Sequence, residues 1–285
     1  MPTVRVRGVD LYYEEYGAGP HLIMAHGLMG SVGLMKRFSE RPEEIAARGL
    51  HVVAYDARGH GQSGYTTAKR DYHWASLAED MGELMRALGI ERASVYGGSM
   101  GAGTALMLAL AHPKAVEKLI LMSPPPFGAH ARTARLYFGS LAYLYQLFGA
   151  RVAARIVTAT PQARAAQRAN PENDLRSFLA SQRRTAIVPA IRGLLFDSPP
   201  LPTERFGEIA QQTLVLTHPD DPVHPLASGE LLHERMQHAR LAVAPSTTYW
   251  EEQPDALTHV IASFALGQPI ASGLPEKMMH EHART

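Results

Sequence analysis

Gly97-Gly98-Ser99-Met100-Gly101 sets one serine among glycines in a Gly-x-Ser-x-Gly pattern. This pattern can present a nucleophile. A tight turn between a strand and a helix forces the serine into a strained backbone conformation, and only small neighbours fit around it. The hydroxyl then projects above the sheet, where the N-terminus of the following helix favours developing negative charge. The competing reading is a glycine-rich strand-to-helix turn with an incidental serine. The flanking runs 93–96 and 102–111 supply the strand and helix that the functional reading needs. His26-Gly27-Leu28-Met29-Gly30 closes another apolar run. A glycine loop in that place can aim a backbone N–H at a substrate oxygen; the N–H groups of Leu28 and Met100 would then form an oxyanion hole. An ordinary strand-ending turn is the alternative. The stretch 56–64, Asp-Ala-Arg-Gly-His-Gly-Gln-Ser-Gly, demands a compact loop, and its Asp, Arg and His read as holding that loop rather than doing chemistry.

Alternating elements must position these residues. Runs 3–7, 11–16, 21–25, 50–55, 93–96 and 116–122 read as strands, and 41–48, 74–88 and 102–111 as helices. Leu77, Met81, Leu84 and Leu88 share one helical face. Strands separated by helices predict an α/β fold with a parallel, doubly wound sheet. Two proline clusters, at 124–126 and at 199, 200 and 202, bracket an Arg/Ala-rich helical stretch with no clear strand. Strand, helix, strand and helix then resume at 213–217, 225–238, 240–244 and 254–266. The expected organisation is a core of 1–123 and 203–267, a helical cap over 124–202, and a loose tail over 268–285.

Composition narrows the chemistry. The chain has 285 residues, no cysteine and 14 histidines. Disulfides, thiolate nucleophiles and Cys-ligated metals are excluded. With 28 basic and 27 acidic residues, the formal charge of +1 gives no reason to expect nucleic acid or an anionic membrane as partner. No leader-like or spanning apolar run is seen, so a cytoplasmic protein is the expectation; a homodimer is left open. No His-Glu-x-x-His spacing occurs and no Gly-x-Gly-x-x-Gly follows a first strand, so no metal or nucleotide cofactor is expected.

His26-Gly27, the 56–64 stretch, the serine pentapeptide and the segment from His112-Pro113 to Leu121 occur in an order and spacing that resemble the α/β-hydrolase superfamily, over roughly 10–123 and 205–267. That resemblance implies an eight-stranded, mostly parallel sheet with a helical lid, and a serine, acid and histidine in that chain order. The family's acid turn is matched by Asp221-Pro222-Val223-His224-Pro225, which makes Asp221 the orienting acid, with Asp220 the neighbour that could be mistaken for it. The family's histidine stands in the loop after the last strand, a few residues before Glu-x-Pro. Glu252-Gln253-Pro254 is present, but Ser246-Thr247-Thr248 fills the expected place, and a threonine hydroxyl is no base near neutral pH. Six histidines follow Asp221. His224 lies inside the acid turn and is expected to be poorly placed to bridge Asp221 and Ser99. His233 and His238 lie on a helix leading away, and His280 and His282 lie in the tail. His259, about one turn into the last helix, is the base by default; a surface or packed histidine is its competing reading. His218 stands in reserve.

The expected activity is hydrolysis of a small to medium apolar ester, or a related acyl or carbon–carbon substrate. Ser99 would be the nucleophile, His259 the base and Asp221 the acid, with Leu28 and Met100 forming the oxyanion hole. The aromatic stretch 127–148 would pack mostly on the core and partly line an apolar cleft over Ser99. The missing histidine keeps two alternatives open: a lyase, cyclase or isomerase on the same fold, and a non-catalytic ligand-binding member.

Overall fold

Short apolar runs bounded by glycine and proline are buried on both faces when they pair in parallel, and they build the centre of this molecule. The computed structural model describes residues 2–37, 40–161, 163, 164, 168, 174–270 and 278–280. Its strands are β1 (Thr3–Val6), β2 (Val9–Tyr16), β3 (His21–Ala25), β4 (His51–Tyr55), β5 (Ala93–Gly98), β6 (Val116–Met122), β7 (Gln212–Thr217), β8 (Ala239–Val243) and the two-residue β9 (Met279–His280). They lie in the order β1-β2-β4-β3-β5-β6-β7-β8-β9. Strands β3 to β8 are mutually parallel; β1, β2 and β9 join antiparallel. The eight-stranded, mostly parallel α/β expectation holds for β1 to β8. Residues 278–280, inside the stretch expected to be a loose tail, instead add β9 to the edge of β8, and Met278 is buried beside it.

Strand order reverses at β3, which pairs with β4 on one side and β5 on the other. In such sheets the carboxyl ends of the strands flanking the reversal open a crevice. Ala25 is in register with Gly97, so the loops after β3 and β5 emerge side by side. The residues singled out at 27–30 and 97–101 are therefore neighbours.

Helices cover both faces of the sheet. Helices α1 (Val32–Arg37) and α2 (Pro42–Ala46) precede β4, and α3 (Trp74–Ala87) and α4 (Met100–Ala111) flank β5. One face buries Met81 and Leu84 of α3 with Leu106 and Leu108 of α4. The other buries Met35, Ile45 and the Leu257, Val260 and Ile261 stripe of the last helix, Pro254–Leu266. Helix α1 is too short and irregular in pattern to read from sequence. Between β6 and β7 run α5 (Ala131–Thr158), α6 (Leu175–Ser181) and α7 (Arg184–Arg192), with no strand among the described residues. Gly149 interrupts α5 at φ 74°, ψ 167°, a conformation open to glycine at no steric cost. These helices have a core of their own: Leu141, Tyr145, Leu179, Ile187 and Ile191 pack together and reach Met29 and Tyr72 of the core loops. They therefore sit over the crevice loops. Two further α-helices are α8 (Leu226–Arg235) and α9 (Tyr249–Glu252); the last helix is α10.

Candidate active site

Ser99 stands at the hinge between β5 and α4 with φ 50° and ψ −105°, a strained combination for a residue with a side chain. Its N–H donates to the Met122 carbonyl at 2.9 Å, and its carbonyl accepts from Gly103 N–H at 3.1 Å, so the strained unit is tied on both sides. The flanking glycines are needed for close approach. A Cβ on Gly97 would lie 2.3 Å from the Gly101 carbonyl, and one on Gly101 would lie 2.2 Å from the Ala25 carbonyl oxygen. Helix α4 thus sits directly on β3 and β5, with its N-terminus under the serine.

From Ser99 an unbroken hydrogen-bonded chain leads to a carboxylate. Ser99 Oγ lies 2.8 Å from His224 Nε2, and His224 Nδ1 lies 2.8 Å from Asp221 Oδ2. The other carboxylate oxygen of Asp221 accepts from the N–H groups of Val223, at 2.7 Å, and His224, at 3.0 Å. This Asx-type turn, opened by Asp-Pro, folds the chain back so that residue 224 faces residue 221. Burial alone would raise the pKa of Asp221. The hydrogen bond and charge of His224, with the two backbone N–H groups, outweigh it and hold the carboxyl well below the usual carboxylate range. An ionised Asp221 can only accept, so His224 carries its proton on Nδ1 and leaves Nε2 to accept from the Ser99 hydroxyl. Asp220, at φ 62°, is exposed and takes no part.

The expectation for the histidines is thereby corrected. His224, expected to be poorly placed, is the one brought to Ser99. His259 is not: its Nδ1 lies 3.4 Å from Arg48 Nη1. Arg48 lies three positions before His51, the first residue of β4, whereas Ser99 directly follows β5. Since β4 and β5 run in the same direction, His259 is turned toward the opposite edge of the sheet. The burial of Leu257, Val260 and Ile261 fixes the rotation of α10 and leaves His259 no choice of side. His218 is buried, with Nε2 3.3 Å from Ser123 Oγ and 3.9 Å from Asp221 Oδ2, and it is His224 rather than His218 that bonds to Ser99. At the place where the family carries its histidine, Thr247 is exposed, and Thr248 Oγ1 donates to Glu252 at 2.6 Å. Asp-Pro-Val-His-Pro carried a signal for the pairing of His224 with Asp221, since an aspartate opening its own turn can fold back the residue three positions on, but none for its contact with Ser99.

The loop 26–30 borders the same space. A Cβ on Gly27 would lie 3.4 Å from the Ser99 Cβ. Neither Leu28 N–H nor Met100 N–H has a protein acceptor among the described residues. The first N–H groups of a helix have no acceptor within the helix, which accounts for Met100. His26 holds the loop: Nδ1 donates to the Gly27 carbonyl at 2.7 Å and Nε2 accepts from Ala57 N–H at 2.9 Å. Burial pushes its pKa down to about 4, so it is a neutral, fixed tautomer near neutral pH. The 56–64 loop is held as its composition suggests. Asp56 accepts from Val32 N–H at 2.6 Å and Gln62 N–H at 2.7 Å, and Arg58 makes a bidentate pair with Asp80 at 2.7 Å.

The sequence profile of the alpha/beta hydrolase fold matches residues 20–246. The chain is 30% identical over 258 residues to 2-hydroxy-6-oxo-6-phenylhexa-2,4-dienoate hydrolase of Comamonas testosteroni, covering 85% of each chain. It is 29% identical over 281 residues to 2-hydroxy-6-oxononadienedioate/2-hydroxy-6-oxononatrienedioate hydrolase of the same organism, covering 92% of this chain and 94% of that one. Among solved structures, the enol-lactonase of Burkholderia xenovorans LB400 superposes with a TM-score of 0.76 at 21% identity, over 92% of this chain and 99% of that one. The chain belongs to the α/β-hydrolase family. It is a hydrolase of that fold.

Proposed function

We propose that the protein is a serine hydrolase whose triad is Ser99, His224 and Asp221, acting on an ester, or a related acyl or carbon–carbon bond, of a small to medium apolar substrate. The observation that carries this reading is the unbroken 2.8 Å and 2.8 Å chain from Ser99 Oγ through His224 to Asp221. His224 Nε2 takes the Ser99 proton as Oγ bonds to the substrate carbonyl carbon. The carbonyl π electrons move to oxygen, and the N–H groups of Leu28 and Met100 receive that oxyanion. On collapse, the leaving group departs with the bonding pair and takes the proton from His224. Water then gives a proton to His224 and attacks the acyl-enzyme; collapse expels Ser99 Oγ, which takes that proton back from His224, and releases the acid. Asp221, kept ionised throughout, orients the imidazole and stabilises its charged form. The named relatives, hydrolases of oxo-dienoates, support a carbonyl centre as the point of attack. The alternatives of a lyase, cyclase or isomerase, or of a non-catalytic binder, arose from the missing histidine; His224 removes that motive.

Turnover of short p-nitrophenyl esters tests the assignment. Ser99→Ala and His224→Ala are each expected to lower kcat by about 10⁴-fold or more, while His259→Ala stays within about twofold of wild type. Wild-type turnover by Ser99→Ala would remove the nucleophile, and wild-type turnover by His224→Ala would remove the base.

A further inference from the structure

We propose that the outer face of the helical insertion docks on an anionic lipid surface. The whole-chain charge of +1 averages over two regions of opposite sign. Residues 124–202 hold ten arginines, no lysine and three acidic residues, a net +7, which leaves −6 on the remainder. Helix α5 contains four of those arginines and no acidic residue.

The same helix turns large apolar side chains to solvent. Leu136 is 64% exposed, Tyr143 58% and Leu147 53%, recurring at helical spacing on one stripe; Phe196 of the turn after α7 is 56% exposed beside them. The expectation that the 127–148 side chains pack inward holds for the buried Phe127, Leu141 and Tyr145 and for the partly buried Phe138 and Leu144, but not for these. Arg132, Arg135, Arg151 and Arg155 are all exposed among the apolar residues. A groove of about 460 Å³ joins the two kinds of group, with Leu136, Tyr143 and Phe196 as its apolar wall and Lys69, Arg135 and Arg192 as its cations. Apolar side chains rimmed by arginines are what a helix lying in the headgroup plane needs: the chains enter the acyl boundary while the guanidinium groups meet phosphates. Single exposed hydrophobics are ordinary; a contiguous stripe within a cationic field is not. A symmetric second copy on this face would bring two +7 insertions together, and the exposed aliphatic Leu136, Leu147, Val152 and Ile156 suit an acyl boundary better than a stack of bases. No helix among the described residues is long and apolar enough to cross a membrane, so contact is at the surface. None of this depends on the chemistry of Ser99.

Flotation of the full-length protein with phosphatidylcholine vesicles, with and without phosphatidylglycerol, reads the proposal directly. We expect it to float with the phosphatidylglycerol vesicles, to remain behind with phosphatidylcholine alone, and to lose most of the binding at high salt. Arg132→Gln with Arg135→Gln is expected to lower the partition coefficient by roughly tenfold or more, since each cation near such a surface contributes about fivefold. Tyr143→Ser with Leu147→Ser should weaken it comparably. All four positions are exposed, and an unchanged unfolding transition verifies that the variants fold. Failure to float with phosphatidylglycerol overturns the proposal. Equal, salt-insensitive binding to both vesicles overturns its electrostatic basis. A lipid-free dimer that Tyr143→Ser dissociates would assign the face to a second copy instead.

Discussion

A histidine three residues after a carboxylate reaches it only if the backbone between them turns back on itself. Asp221 makes that turn with one oxygen and orients the imidazole with the other. Because the two ring nitrogens lie at opposite ends of the ring, a histidine so held can still present Nε2 to a serine arriving from another strand. Ser246-Thr247-Thr248 fills the family's histidine place; Thr247 is exposed there, and Thr248 bonds to Glu252. In the proposed triad the role passes from that place to the Asp221 turn. Restoring the family's arrangement is therefore a direct test: in a His224→Ala background, Thr247→His is expected to recover at least about tenfold of the lost p-nitrophenyl ester turnover. No recovery would mean that the 245–248 loop no longer reaches Ser99. Ser99 and Asp221 were readable as residues because each sits in a short motif whose local geometry does its work. His224 was not, because its relation to Ser99 is a contact across 125 positions of sequence, invisible to any local pattern.

At the scale of elements, the serine turn works because α4 lies against the strands with no side chains between. Gly101→Ala would set a methyl 2.2 Å from the Ala25 carbonyl oxygen, a backbone atom that cannot swing aside. We expect a loss of more than about 3 kcal/mol in urea unfolding, against a fraction of that for alanine at Gly207, where the nearest atom is 3.5 Å away. The strand and helix succession was legible because buried parallel strands and amphipathic helices leave distinct periods in sequence. Helix α1 and strand β9 left none: the one is six residues long, and the other is a two-residue addition to an existing edge. Helix α10 shows the limit from the other side. Its existence was legible, but which edge of the sheet His259 would face depends on how the helix lies against α2 and the core, and that depends on packing.

For the whole molecule, the histidines become a stability matter. His26 and His60 are buried, with ring centroids 5.2 Å apart. Burial pushes His26 down to about 4; burial, then the neighbouring His26, pushes His60 down to about 3. Both pKa values are depressed relative to an unfolded histidine near 6.5, so between about pH 6.5 and 4 the unfolded chain binds more protons. Stability is then at its full value above that window and falls as the pH is lowered through it. Each proton contributes about 1.4 kcal/mol per pH unit, and the two together up to about 2.7. Urea midpoints followed from pH 7 to pH 4.5 should drop accordingly, and His60→Asn should flatten the slope by about half. A slope unchanged in that variant would show that His60 is not buried as a neutral group.

The sequence by itself determined the layered α/β plan, the strained serine pentapeptide and the Asp221 turn, since each rests on local geometry and on the burial of a periodic pattern. It also carried the charge asymmetry of the insertion, which a whole-chain sum conceals. Only the tertiary structure decided which histidine meets Ser99, and which side of α5 faces the core and which the solvent. Those outcomes depend on strand order, helix rotation and loop closure, which bring together residues that no spacing along the chain relates.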